Sequence, residues 1–92
     1  METGPHHLLL YDYVEDVLER RGPYREEHLA LLRRAREEGA VVAAGALGDP
    51  PTGAAIVVRG GAARAEALAA EDPYVRAGLV RSWRVVPWNV VV

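Results

Sequence analysis

Apolar and polar residues change their spacing several times along the chain, and each change predicts an element. Residues 7 to 14, His-Leu-Leu-Leu-Tyr-Asp-Tyr-Val, are apolar and aromatic and too short for an independent helix, which predicts a buried first strand. Charges dominate from Glu15 to Tyr24, where Gly22-Pro23 limits any helix to a short turn. From Tyr24 to Glu38 the period becomes helical. His28, Leu31, Leu32 and Ala35 share one face, Leu29 widens it, and Arg33, Arg34, Glu37 and Glu38 populate the other. Pro23 suits the start of this helix, because the N–H it lacks would be unpaired there. Gly39 suits its end, because glycine adopts positive φ without penalty.

Val41 to Leu47 predicts a second strand, and Gly45 inside it marks either a β-bulge or a place where a ligand approaches the backbone. The turn sequence Gly48-Asp49-Pro50-Pro51-Thr52-Gly53 leads into a third strand over Ala54 to Arg59, which makes an antiparallel hairpin. Ala62 to Glu71 is alanine-rich, with Ala65, Leu68 and Ala69 on one face, and predicts a second helix that Asp72-Pro73 closes. After a turn or short helix at Tyr74 to Gly78, Leu79 to Val86 reads as the fourth strand. Pro87 limits its pairing or places it at a sheet edge. The apolar tail from Trp88 to Val92 is expected to pack, with a second subunit as one candidate surface.

The order β-α-β-β-α-β is the split βαβ arrangement of ferredoxin-like α+β domains. It predicts a four-stranded antiparallel sheet with two helices on one face. The other face stays apolar, so pairing of two chains through their sheets is expected. At 92 residues, the chain is read as one domain over positions 1–92.

Composition narrows the function classes. The net charge of -2 gives no electrostatic reason for a nucleic-acid partner. All basic residues are arginine, and on the first helix they alternate with glutamate as solvated ion pairs would. Without cysteine there is no disulfide, thiol nucleophile or cysteine-based metal site, which fits a cytoplasmic protein. No apolar run has the length of a membrane helix or the flanks of a signal peptide. His6 and His7 are adjacent, so on a strand they point to opposite faces, and no other ligand lies at metal-site spacing. The glycines at 45 to 48 and 60 to 61 lack both a phosphate-loop lysine and the GxGxxG order. No metal and no cofactor is therefore expected.

Four strings in one order resemble the YciI-like (YCII-related) family: Arg25-Glu26-Glu27-His28-Leu29, Ala44-Gly45, Glu71-Asp72-Pro73-Tyr74 with Ala77-Gly78-Leu79, and Trp83-Arg84-Val85-Val86-Pro87-Trp88. The resemblance runs from about residue 8 to residue 88. It departs at Glu26, where many relatives carry proline. The resemblance implies a dimer of ferredoxin-like domains with a pocket bearing a His–Asp pair. The family is similar in fold to muconolactone isomerases and to small dehydrochlorinases of aromatic-derived compounds. Carried onto this chain, the pair is His28 and Asp72, with Arg25 and Gly45 as further pocket candidates.

Each of these residues also has a plainer reading. His28 suits a buried imidazole with one satisfied hydrogen bond; a carboxylate partner would fix its tautomer for proton transfer. Asp72 before proline is the profile of a turn-forming aspartate. Arg25 offers a bidentate grip on a substrate carboxylate or a surface ion pair. Tyr74 is a pocket wall with a polar tip or packing at the corner after the second helix. Trp83 and Trp88 suit core and interface better than stacking on an aromatic ligand. The expectation is a homodimer, or a higher homo-oligomer built from it. It would act on a small organic molecule by general acid–base chemistry such as isomerisation or elimination. The alternative is a non-catalytic ligand-binding or assembly module in which the pair is a buried polar contact.

Overall fold

The computed structural model describes residues 1–92. Strand β1 (Gly4–Tyr13) is followed by helix α1 (Val17–Arg20), a 3-10 turn (Gly22–Tyr24) and helix α2 (Arg25–Glu37). Strands β2 (Val41–Leu47) and β3 (Gly53–Arg59) form the hairpin, and helix α3 (Ala62–Glu71), helix α4 (Pro73–Arg76) and strand β4 (Val80–Val90) complete the chain. The sheet order is β2-β3-β1-β4 with every neighbouring pair antiparallel, which is the ferredoxin-like arrangement. The helices pack on one face of this sheet.

The core lies between that face and the helices. Leu9, Tyr11 and Tyr13 alternate along β1 toward it, Ala54, Ile56 and Val58 do so along β3, and the helices close over them with Leu31, Ala35, Ala65, Leu68 and Ala69. On α2 the buried residues are His28, Leu31 and Ala35, so the helical period read from the sequence selects the inward face. Helix α2 ends in a Schellman arrangement. The N–H of Ala40 donates to the Ala35 carbonyl, that of Gly39 donates to the Arg36 carbonyl, and Gly39 takes φ of 85°.

The structure redraws several expected boundaries. Pro23 belongs to the separate 3-10 turn and not to α2; Tyr24, at φ −110° and ψ −8°, interrupts the α geometry before Arg25 begins the helix. Gly45 is not a bulge: it pairs in register with Ala55, while the bulge in β2 falls between Val41 and Ala43. The close backbone approach occurs at Gly53, where a Cβ would collide with the Tyr11 carbonyl oxygen. Strand β4 does not stop before Pro87. It continues to Val90, with Pro87 opposite His7 and Trp88 opposite His6. An edge strand has one neighbour only, so alternate N–H groups need no partner and a proline is accommodated. Most of the apolar tail is therefore sheet, and Trp83 and Trp88, at 39% and 37% exposure, are half-open side chains of the edge strand and not core.

Two glycines should separate by their backbone surroundings. Gly53→Ala is expected to destabilise the fold by about 2 kcal/mol or more, because backbone must move to admit the methyl. Gly45→Ala, with open space at its Cβ position, should stay within about 0.5 kcal/mol of the native chain. Urea midpoints of the two variants measure this; equal midpoints would contradict the assignment of the close approach.

Candidate functional site

Asp72 ends α3 and precedes Pro73, which pushes it out of the helical region to φ −69° and ψ 122°. In that conformation it caps α4, and its Oδ1 accepts from the Tyr74 N–H at 2.9 Å. The carboxylate is fully buried and accepts two more bonds. The Tyr11 hydroxyl donates to Oδ2 at 2.8 Å, and His28 Nδ1 lies 2.8 Å from Oδ1 and 3.0 Å from Oδ2. A carboxylate surrounded by donors can only accept, so Nδ1 carries a proton toward Asp72 and Nε2 is the ring's free nitrogen. Nε2 has no hydrogen-bond partner in the protein, and it is not among the side-chain atoms sealed from solvent.

Three elements meet at this carboxylate. His28 stands in the first turn of α2, Tyr11 on the helix-facing side of β1, and Tyr74 in α4. The Tyr74 ring lies parallel to the imidazole, 3.8 Å centroid to centroid and 2° between planes. It also meets Tyr13 edge-on at 6.1 Å. Tyr74 is thus both packing and pocket wall, and its hydroxyl is buried without a partner.

Beside the imidazole is a cavity of about 180 Å³, small against the roughly 300–1,000 Å³ of pockets for drug-sized ligands. Ala44, Gly45, Ala54 and Ile56 form its floor, Leu29 and Leu32 one wall, and Tyr13, Arg21 and Arg25 its polar side. Arg25 and Gly45 therefore line the same cavity as His28 and Tyr74. Of the candidate pair and its three pocket candidates, Asp72 alone is behind the wall. His6 and His7 lie apart from the site: Nδ1 of His6 is 3.0 Å from the Gly4 carbonyl, and Nδ1 of His7 is 2.8 Å from that of Gly60.

Sequence reasoning missed Tyr11, Tyr13 and Arg21. The signal for the tyrosines was available: they follow Leu9 at strand spacing, so two polar-tipped rings share the buried face of β1. Nothing local marks Arg21, which reaches the cavity from the end of α1. The Tyr11 phenol is held above the ordinary tyrosine range, first by burial and then by the charge and hydrogen bond of Asp72. Tyr13 is pushed from the ordinary 10.0 up to about 12, chiefly by burial; Tyr74 and Asp72 add to this, while Arg21 and Arg25 oppose it. Both phenols are neutral donors at physiological pH.

With the geometry in place, a family model for the YCII-related domain matches residues 6–89. The chain belongs to the YCII-related family. No curated protein matches this YCII-related chain. Among solved structures it is similar to 5-chloro-2-hydroxyhydroquinone dehydrochlorinase from Burkholderia phenoliruptrix in complex with 2,5-dihydroxybenzoquinone. The TM-score is 0.75 at 19% identity, with 91% of the YCII-related chain and 93% of the dehydrochlorinase covered. At that identity the likeness establishes the shared fold.

Removing the carboxylate leaves three buried donors without an acceptor, so Asp72→Ala is expected to cost about 3 kcal/mol or more in a urea titration. A loss below about 1 kcal/mol would mean that the network contributes little. The tyrosines also set the alkaline limit. Between pH 10.0 and about 12 the unfolded chain has released the proton that folded Tyr13 retains, so rising pH favours unfolding across that window, whereas below it the contribution is fully present. The chain has no lysine and no cysteine to obscure this. Tyr13→Phe should flatten the fall in stability over this range, measured by denaturant midpoints alongside tyrosinate absorbance.

Proposed function

We propose that the protein is a small-molecule enzyme that performs general acid–base chemistry, isomerisation or elimination, with His28 as the proton-transfer group and Asp72 as the residue that orients it. The observation that carries this reading is the asymmetry of the imidazole: Nδ1 is committed to a buried carboxylate, while Nε2 is free beside a cavity. A carboxylate behind the ring stabilises the imidazolium that forms when Nε2 takes a proton, and holds the ring in the orientation needed to return it. Tyr11 and the Tyr74 N–H keep Asp72 in place. The cavity's size suits a single ring or a few carbons, in keeping with the hydroxylated ring compounds named for the dehydrochlorinase of the same fold.

The same bonds would also serve a non-catalytic ligand-binding or assembly module. Exchange chemistry separates the two. A panel of small lactone and enone carboxylates and chlorinated hydroxyquinols incubated with the protein in deuterated water should yield at least one compound whose acidic C–H exchanges or whose chloride is released. His28→Ala should reduce that rate by about 10²–10⁴-fold while the far-ultraviolet circular dichroism stays native. An unchanged rate in the variant would remove His28 from the chemistry.

We place this site in a cytosolic homodimer whose sheets face each other. Leu8, Leu10, Val57, Val86 and Trp88 lie on the sheet face away from the helices, and Val57 and Val86 flank Leu8 in register. Sedimentation should give twice the 10.0 kDa chain mass, and Val86→Asp should shift the population to single chains. A native protein that sediments as one chain at micromolar concentration would remove the dimer from the proposal.

A further inference from the structure

The cavity beside His28 is electrostatically one-sided. Its charged lining residues are Arg21 and Arg25, and no aspartate or glutamate lines it. The much larger groove between α2 and α3, about 590 Å³, differs in this respect: Glu27, Glu38 and Glu71 face Arg34, Arg64 and Arg76 there, and Arg64 bonds Glu38 at 2.9 Å. Arg20 and Arg59 are likewise paired, with Asp16 and Glu2. Arg21 and Arg25 have no carboxylate within ion-pair distance. Asp72, which bonds His28 from behind the wall, is fully buried and accepts from three donors already.

A third donor joins the two arginines. Tyr13 lines the cavity, its hydroxyl makes no hydrogen bond within the protein, and it is close enough to both guanidinium groups for them to act on its ionisation. Two unpaired guanidiniums and a neutral phenol at one side of a cavity with an apolar floor form a set with donors and no acceptor of charge. Uncompensated cations at a concave, partly apolar surface concentrate counter-ions, and a guanidinium fork matches the planar oxygens of a carboxylate or a phenolate.

We infer that this cavity takes a small planar organic anion, with Arg21, Arg25 and the Tyr13 hydroxyl holding its charged oxygen and Ala44, Gly45, Ala54 and Ile56 receiving its apolar body. The inference rests on the same site as the proposed proton transfer and names its substrate class: an organic acid or ionised phenol, not a neutral lactone or ketone. Bound at that side, the anion presents its carbon skeleton to His28 Nε2. Arg21 and Arg25 are then specificity-determining residues, and Tyr13 supports them.

Benzoate and benzamide test this, because they share ring and size and differ in charge. Binding is measured at neutral pH by calorimetry and by amide chemical shifts of the native protein, of R21Q/R25Q and of His28→Asn. The native protein should prefer benzoate by about tenfold or more, the worth of one charge-assisted hydrogen bond. R21Q/R25Q should lose that preference, and Tyr13→Phe should weaken it. Arg25→Gln alone, at an exposed position, gives the same readout if the double variant does not fold. His28→Asn should keep the preference. Loss of turnover in that variant, or an absence of turnover altogether, bears on the proton-transfer reading and not on this one. Equal affinity for the two probes, a preference that survives R21Q/R25Q, or no binding of either at millimolar concentration would overturn the inference.

Discussion

A buried carboxylate must be matched by donors, and here the match is made by three different elements. Asp72 takes a hydroxyl from β1, an imidazole N–H from α2 and a backbone N–H from α4. Each bond is ordinary in length; their convergence is what fixes the site. The first turn of α2 cannot shift along the sheet without breaking a charge-assisted bond in a region closed to water, where an unpaired charge is costly. Stability and candidate chemistry therefore draw on the same few atoms.

That coupling explains the orientation of the imidazole. The ring is pinned on one edge by Asp72 and on one face by Tyr74, parallel at 3.8 Å, which leaves the Nε2 edge as its free side. Tyr13 meets Tyr74 edge-on, so the aromatic stack continues from the ring that holds His28 to the phenol that lines the cavity. The proposed proton-transfer group and a donor-rich wall are thus parts of one packed unit, and rigid support of this kind is what a reacting geometry requires.

The open sheet face follows a different physics. Its register sets Val57 and Val86 on either side of Leu8, with Leu10, Ala55 and Trp88 nearby, an apolar centre flanked by Arg59 and Arg84. A domain of this length buries a modest core, so covering that face with a second copy would contribute stability that one chain lacks. The proposed chemistry and the proposed assembly thus use opposite sides of the sheet.

The element order was legible in the chain because hydrophobic periods of two and of 3.6 residues are local properties. The period of α2 put His28 on the inward face beside Leu31 and Ala35, and Gly39 marked the helix end. The pairing of His28 with Asp72 came from resemblance and not from spacing, since 44 residues separate them. Only tertiary structure decided the rest. The bulge fell between Val41 and Ala43 rather than at Gly45, because register belongs to the strand pair. Pro87 continued β4, because edge position belongs to the whole sheet. Arg21 joined Arg25 and Tyr13 through the path of the α1–α2 corner. Local sequence determines which face a residue presents; which face it meets is set by packing among elements far apart in the chain.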